Sequence, residues 1–547
     1  MKRVVQHSPF TLAGLIALCA ILTALAPSAS ASSARMRSGL APTPGAGAFG
    51  YQNYAAPNGY SKYPAGEPSI GDNWNTGNVL YQGSLQTSRV AFSDANSPTT
   101  DPAATATWTD VSALQTSLLS LDSILFTDHT TGRTFVTQLG GATSFAAFTG
   151  NDGAAYTSSV IAPTNDVDHE TVGGGPFAPP LSVISATAPY THAVYYCSQG
   201  VADAGCELSP DGGLTFGPTV KMYDITQCNG LHGHVKVAPD GTVYVPNKNC
   251  GGKQAVAVST NDNTTWNVYT VPDSASPTTT GSWDPSVGVG LNSVGNPAGA
   301  NAITNTVYFG YDDNSGHPKI AVSHDEGKTW DQSVDVGATF GIQNTAFPAV
   351  VAGDDNRAAF AFLGSATGGN GGVADPTQFT GIWHLYIATT TDSGKTWTTV
   401  DATPNDPVQR GPICSQGTTC MGSANTRNLL DFMDETVDKY GRVLVGYADG
   451  CITACDTGGD AGTNANSYSA YPTIARQIAG ARLFARYDPS GAGTGTGGTT
   501  PTATPEPGSG VLYGTGAVAL LASVALWRRR AALRRGLGSL RSHRVTL

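Results

Sequence analysis

Short apolar runs alternate with turn residues along this chain in a plan that recurs. In "HGHVKVAPDGTVYVPN" (232–247) an apolar run, an Asp-Gly turn and a second apolar run spell a β-hairpin. "FPAVVAGDDNRAAFAFLG" (347–364) and "DETVDKYGRVLVGYADG" (434–450) repeat it, as do 67–82, 121–138, 282–313 and, with an insertion, 169–197. Hairpins therefore start near residues 67, 121, 169, 232, 284, 347 and 434, and an all-β chain is expected.

A second repeat is laid over the first. "AVSHDEGKTW" (321–330) returns as "ATTTDSGKTW" (388–397), with weaker copies in "SPDGGLTF" (209–216), "STNDNTTW" (259–266) and "TGNDGAAY" (149–156). The side chain of Asp or Asn bonds nearby backbone amides in a turn, Gly takes positive φ, and the aromatic packs beneath. The pattern resembles the Asp-box, or bacterial neuraminidase repeat, of sialidase-like β-propellers. That resemblance implies one propeller over 67–487, with each box between the third and fourth strands of a blade. Seven hairpin starts predict seven blades; sialidases proper have six, which keeps six as the alternative. The seventh blade has no box, and 473–487 is expected to complete it.

Both ends differ from this body. Lys2 and Arg3 precede an apolar run, Phe10 to Leu25, and Ala29-Ser30-Ala31 offers a cleavage site. Residues 1–31 thus read as a secretory signal peptide and 32–66 as an N-terminal extension. The Gly/Thr/Pro stretch 488–510 is a linker with too little apolar content to fold. Val511 to Trp527 carries no charge and is near the lower limit for a membrane helix, a buried C-terminal helix being the alternative. The arginine-rich segment 528–547 then reads as a cytoplasmic tail. Pro505-Glu506-Pro507, the apolar run and the arginines together resemble the PEP-CTERM surface-sorting signal of bacteria, which implies attachment at the cell surface.

Charge and cysteines narrow the function classes. The ends hold eleven of the 29 Lys and Arg and no acid, so the remainder sets 18 basic groups against 40 acidic ones. Such a surface argues against nucleic acid as a partner and suits solubility, bound cations or neutral sugars. Only 13% of residues are charged and 67 are Gly, a turn-rich extracellular composition. Beyond Cys19 in the signal peptide, eight cysteines lie as neighbours: Cys197 and Cys206, Cys228 and Cys250, Cys414 and Cys420, Cys451 and Cys455. Four local disulfides are expected in an oxidising compartment.

Candidate chemistry comes from aligning the hairpins on their first core residue. Three positions upstream stand Glu67, Leu121, His169, His232, Asp284, Phe347 and Asp434, with Asp168, Glu170, Asp431 and Glu435 beside them. Innermost strands line a propeller's channel, so these residues predict a polar channel mouth. Strand-end polar groups also bond neighbouring blades, which is the competing role. The resemblance to sialidases implies three converging arginines, a nucleophilic tyrosine with a glutamate, and an aspartic acid. The Phe/Tyr-Arg-Ile-Pro motif that carries the first arginine is absent. Arg133, Arg357 and Arg442 share one turn position and are expected to face solvent, leaving Arg89, Arg410, Arg427 and Arg476. No phosphate-binding loop or serine nucleophile elbow appears; "GGGPF" (173–177) lacks the strand–loop–helix context.

The expectation is an exported, membrane-tethered, monomeric propeller whose ligand is a glycan or another cell-surface polymer. Two functions stay open. One is glycoside hydrolysis with Glu67, Asp168, Glu170, Asp284, Asp434 and Glu435 as catalytic carboxylates. His169, His232, His234, Asp431, Arg410 and Arg427 would then bind ligand. The other is a non-catalytic binding or adhesion module. No cofactor is called for, calcium being the cation that such an acid cluster would suit.

Overall fold

The computed structural model describes residues 48–489 together with Ser32 and Ser33, apart from 115–116, 118–121, 141–143, 164–167, 180, 182–189, 278–282, 292–305, 421–425, 453–454 and 456–467. The signal peptide, most of the linker, the apolar run 511–527 and the basic tail lie outside the described residues. Among the described residues no helix is long and apolar enough to cross a membrane.

Seven antiparallel sheets, each built on four strands, follow one another along the chain. Their first strands are Ser69–Asn73, Ser123–Thr127, Asp168–Pro176, Lys236–Val237, Ser286–Val289, Asn344–Ala352 and Asp434–Val437. These strands touch in cyclic succession, the seventh against the first, which closes a seven-bladed propeller. Each starts within four residues of the hairpin start read from the sequence.

The free edge of an innermost strand would leave backbone N–H groups without partners. Hydroxyls of the preceding blade meet several of them. Leu125 N–H donates to Ser69 Oγ at 2.7 Å, Val235 N–H to Thr171 Oγ1 at 3.0 Å, and Val350 N–H to Ser286 Oγ at 3.0 Å. At the join of the seventh and first blades, Ile70 N–H donates to Asp434 Oδ2 at 3.3 Å. Between the blades pack buried apolar residues such as Tyr54, Tyr81, Phe92 and Trp108.

The seventh blade is closed from the other end of the chain. Its outermost strand is Gly50–Ala55, paired with Tyr471–Ala479. Of the stretch expected to finish this blade, residues 473–479 do belong to its third strand, and the remainder forms a loop and the 3-10 turn Ala485–Tyr487. The segment 32–66 is thus no mere extension; part of it is a propeller strand. Blade one also gains the pair Ser32–Ser33 outside Ala106–Asp110.

The five repeated turns share one hydrogen-bond pattern, each between the third and fourth strands of its blade. In one, Ser323 Oγ donates to Asp325 Oδ1, Gly327 N–H to Ser323 Oγ, and Thr329 N–H and Oγ1 to the Asp325 carboxylate, all within 2.9 Å. Asp211 and Asp392 hold their turns the same way, Asn261 does so with its amide donating to Thr265 Oγ1, and Asn151 holds its turn with fewer bonds. Four disulfides form as expected: Cys197–Cys206, Cys228–Cys250, Cys414–Cys420 and Cys451–Cys455.

Candidate functional site

Strands alternate direction, so the starts of the innermost strands gather on the face opposite the repeated turns. The chain enters these strands through an unusual backbone. Glu67, His169 and Phe347, equivalent in the repeat, have φ of 54°, 56° and 57°. A side-chain-bearing residue there costs roughly 1–2 kcal/mol, strain that persists only where surrounding structure holds it.

On this face the aligned residues come together. His169 Nε2 lies 2.8 Å from Asp284 Oδ2, and Lys248 Nζ lies 3.0 Å from Asp284 Oδ1. The His232 ring meets the His169 ring edge-on at 5.3 Å between centroids. Asp122 Oδ2 accepts the His169 N–H at 3.1 Å. The charges of Asp122 and Asp431 oppose ionisation of Glu67, that of Asp431 opposes ionisation of Asp122, and Arg427 grips Asp431 through both of its terminal nitrogens, one at 2.6 Å. Five blades contribute to this connected set, with Arg427 and Asp431 from the segment that leads into the seventh.

Burial and mutual charge set the protonation states. Burial resists a charge on His169, but the Asp284 carboxylate holds it up to about 9. Asp284 is pushed well below the usual carboxylate range by His169 and Lys248, despite its burial. Burial and the charge on His169 drive His232 down to about 3, so it is neutral. Glu67 is raised well above the ordinary range by burial and then by the charges of Asp122 and Asp431.

Asp434 sits deeper, in the channel itself. Its Oδ1 lies 3.6 Å from Lys236 Nζ and 3.7 Å from His234 Nδ1, and His234 packs edge-on against Phe432 at 4.6 Å. Despite burial, these two neighbours hold Asp434 down to about 2.

Other expected residues go elsewhere. Glu170 accepts hydrogen bonds from Thr137 Oγ1, Ser144 Oγ and Tyr196 OH at 2.9, 3.0 and 2.6 Å, between the second and third blades. Glu435 is buried against the Val351 and Ala361 backbone of the sixth blade, and burial raises it well above the carboxylate range. Successive strand residues point to opposite sides, so His169 and Asp434 can reach the axis only if Glu170 and Glu435 do not. Asp168 is exposed at the strand's first position. Arg410 is buried in a short strand paired with Ile382. Arg133, Arg357 and Arg442 neither converge nor face solvent. Arg133 stacks between Phe148 and Tyr190 at 4.5 Å from each ring centroid, Arg357 clasps Asp488, and Arg442 is fully buried against Asp438 and Asp94.

The sequence reading missed Asp122, Lys248 and Asp312. Asp122 adjoins Leu121, the residue the alignment put in its place. Lys248 and Asp312 come from second strands, Val243–Cys250 and Val307–Asp312, where the alignment did not look. Lys248 feels both Asp284 and Asp312. Among the described residues no group of three or more His, Cys, Asp or Glu side chains is arranged to hold a metal ion.

No family model and no curated protein matches this chain. Similar solved structures include a protein of unknown function from Dyadobacter fermentans, at 13% identity and TM-score 0.36, covering 76% of this chain and 95% of that one. The intramolecular trans-sialidase from Ruminococcus gnavus, in complex with oseltamivir carboxylate, is similar at 10% identity and TM-score 0.33 over 71% and 92%. The Aleuria aurantia lectin, in complex with alpha-methyl-L-fucoside, is similar at 11% identity and TM-score 0.34 over 62% and 92%.

Proposed function

We propose that this protein binds a neutral carbohydrate at the face built by Glu67, Asp122, His169, Lys248, Asp284, Arg427 and Asp431. The observation that supports this best is the pairing of charge: Asp284 lies against His169 and Lys248, and Asp431 against Arg427. Fixed ion pairs offer donors and acceptors together, which suits hydroxyls that both donate and accept. A strongly charged ligand would have to break a buried pair, a costly exchange. Asp431, Lys248 and Arg427 keep 30%, 18% and 16% of their side chains accessible and are the groups a ligand would meet.

In this reading the repeated turns are Asp-boxes, the chain is exported by its signal peptide, and residues 511–527 tether it to the membrane. A glycan array probed with the purified protein tests the reading. Asp431→Asn and Lys248→Met are each expected to weaken binding at least tenfold without lowering the melting temperature. An array profile unchanged in both variants would reject the site.

Glycoside hydrolysis is the second reading, favoured by one observation: Glu67 keeps its proton beside Asp431 and could deliver it to a leaving oxygen. Glu67→Gln should then abolish turnover of a chromogenic glycoside while leaving glycan binding in place.

A further inference from the structure

The seam between the seventh and first blades holds three arginines that bulk water does not reach. Arg442, Arg476 and Arg482 are 0%, 1% and 2% exposed. The first two share one carboxylate: Arg442 Nη1 lies 3.3 Å from Asp94 Oδ2, and Arg476 Nη1 lies 2.8 Å from Asp94 Oδ1. Arg442 Nε donates to Asp438 Oδ2 at 2.6 Å and its Nη2 to the Ser97 carbonyl at 2.7 Å. Arg482 joins from the loop that follows Tyr471–Ala479, and its Nη2 donates to Thr100 Oγ1. Asp94, Ser97 and Thr100 all belong to the connection 93–105 between Gln86–Phe92 and Ala106–Asp110 of the first blade. That connection covers the cluster, with Asn96, Pro98 and Asp101 exposed on its outer side.

Two deficits remain beneath it. The first is of acceptors. Arg476 has the Tyr54 hydroxyl beside it, but Arg482 Nε and Nη1 are buried and meet no hydrogen-bond acceptor among the described residues. A buried donor left so forfeits its hydration without return. The second deficit is of charge. Three guanidiniums face two paired carboxylates, Asp94 and Asp438. Asp72 adds no third: its Oδ2 is buried without a hydrogen-bond partner, and burial, then the charge of Asp438, raises it well above the usual carboxylate range. Asp488, which also acts on Arg482, is clasped by Arg357. Burial and then the charge of Arg442 lower Arg482 only to about 10, so it stays charged at neutral pH. One positive charge is left over where charges are costly unless paired. Water molecules would serve the donors but would not cancel that charge.

We propose that the seam binds one small monovalent anion of halide size, such as chloride, on the unpartnered N–H groups of Arg482 with Arg442 and Arg476 close by. The single excess charge sets the valence, and the covering connection sets the size. Arg476 stands opposite Gln52 of the closing strand, so the ion would hold together the place where the ring is shut. The site is on the face of the repeated turns and is independent of the carbohydrate face; either can fail without the other.

Urea unfolding at constant ionic strength, with sodium chloride replacing sodium gluconate, tests this. The unfolding equilibrium constant is expected to fall as chloride rises, approaching tenfold per tenfold of chloride, the slope for one bound ion. A crystal soaked in sodium bromide should show an anomalous-scattering peak beside Arg482. Arg482→Gln removes the excess charge and should abolish the slope, whereas Arg133→Gln, in the second blade, should keep it. If Arg482→Gln fails to fold, the wild-type slope and the bromide peak decide the matter. No chloride slope in the wild type, an equal slope in Arg482→Gln, or no bromide in the seam would each overturn the proposal.

Discussion

His169 carries a proton in a place where burial alone would remove it. The cause is Asp284, 2.8 Å away and itself held ionised by His169 and Lys248. The pair makes stability depend on pH with a definite sign. A histidine raised from 6.5 to about 9 contributes stability that is complete below its unfolded pKa and fades as pH climbs through 9. Urea unfolding of the wild type is therefore expected to show stability falling between pH 6.5 and 9.5. The raised acids Glu67 and Glu435 contribute a fall of the same sign that begins lower, near their ordinary value of 4.5, where the unfolded chain gives up protons that the folded one keeps. His169→Gln isolates the pair: it should be less stable than wild type at pH 6 and differ from it less at pH 9.5. Parallel pH profiles for the two proteins would assign the dependence to the acids alone. Glu67, His169, His232 and Asp284 were legible as site residues because one repeat position places them alike. Lys248 was not, because it arrives from a second strand and no inner-strand pattern points to it. Glu170 and Glu435 were misjudged for a reason the sequence did contain, the alternation of side chains along a strand.

Elements repeat more faithfully here than sequences do. In each repeated turn the two residues after Asp or Asn both have positive φ: Asp152 and Gly153, Gly212 and Gly213, Asp262 and Asn263, Glu326 and Gly327, Ser393 and Gly394. The Asx side chain offsets this backbone cost by accepting bonds across the turn. Where the first left-handed residue is aspartate it also reaches the preceding blade: Asp152 accepts from Asn73 and Asn78, and Asp262 from Ala178 N–H and Tyr195 OH, whereas Glu326 pairs with Lys328 of its own turn. Only the Asx and Gly positions were legible beforehand; the inter-blade contacts depend on which sheet lies alongside. Asp325 accepts three bonds, each worth about 0.5–1.5 kcal/mol net and less where exposed. Asp325→Ala is expected to destabilise the protein by about 1–3 kcal/mol in urea unfolding. Asp331→Ala, at an exposed side chain just past the same turn, should shift stability by less than about 0.5 kcal/mol.

For the whole molecule, the decisive contact joins residues far apart in the chain. The hairpins that spell six blades are local, so their number and order could be read directly. Strand Gly50–Ala55 pairs with Tyr471–Ala479 across almost the entire described length, and no local pattern names that partner. Closure is reinforced at the same seam. Arg442 and Arg476 are buried between the seventh and first blades against Asp94, and Asp438 completes the set. Buried ions stay favourable only while every partner is present, so the seam should depend on the N-terminal strand keeping its register. The register places Ala55 opposite Thr473 and Asn53 opposite Ala475. Directly opposed residues of an antiparallel pair have Cβ atoms about 4.5–5.5 Å apart, within a small adjustment of disulfide geometry. Ala55→Cys with Thr473→Cys should therefore oxidise spontaneously and be seen as a cross-linked peptide in a non-reducing digest. It should also raise stability by about 2–4 kcal/mol, because it ties the ring shut across a very long loop. Asn53→Cys with Thr473→Cys is two residues out of register and should stay reduced. Cross-linking in the second pair but not the first would mean that the closing strand sits two residues away from the position described, and the buried arginine seam would then need a different explanation.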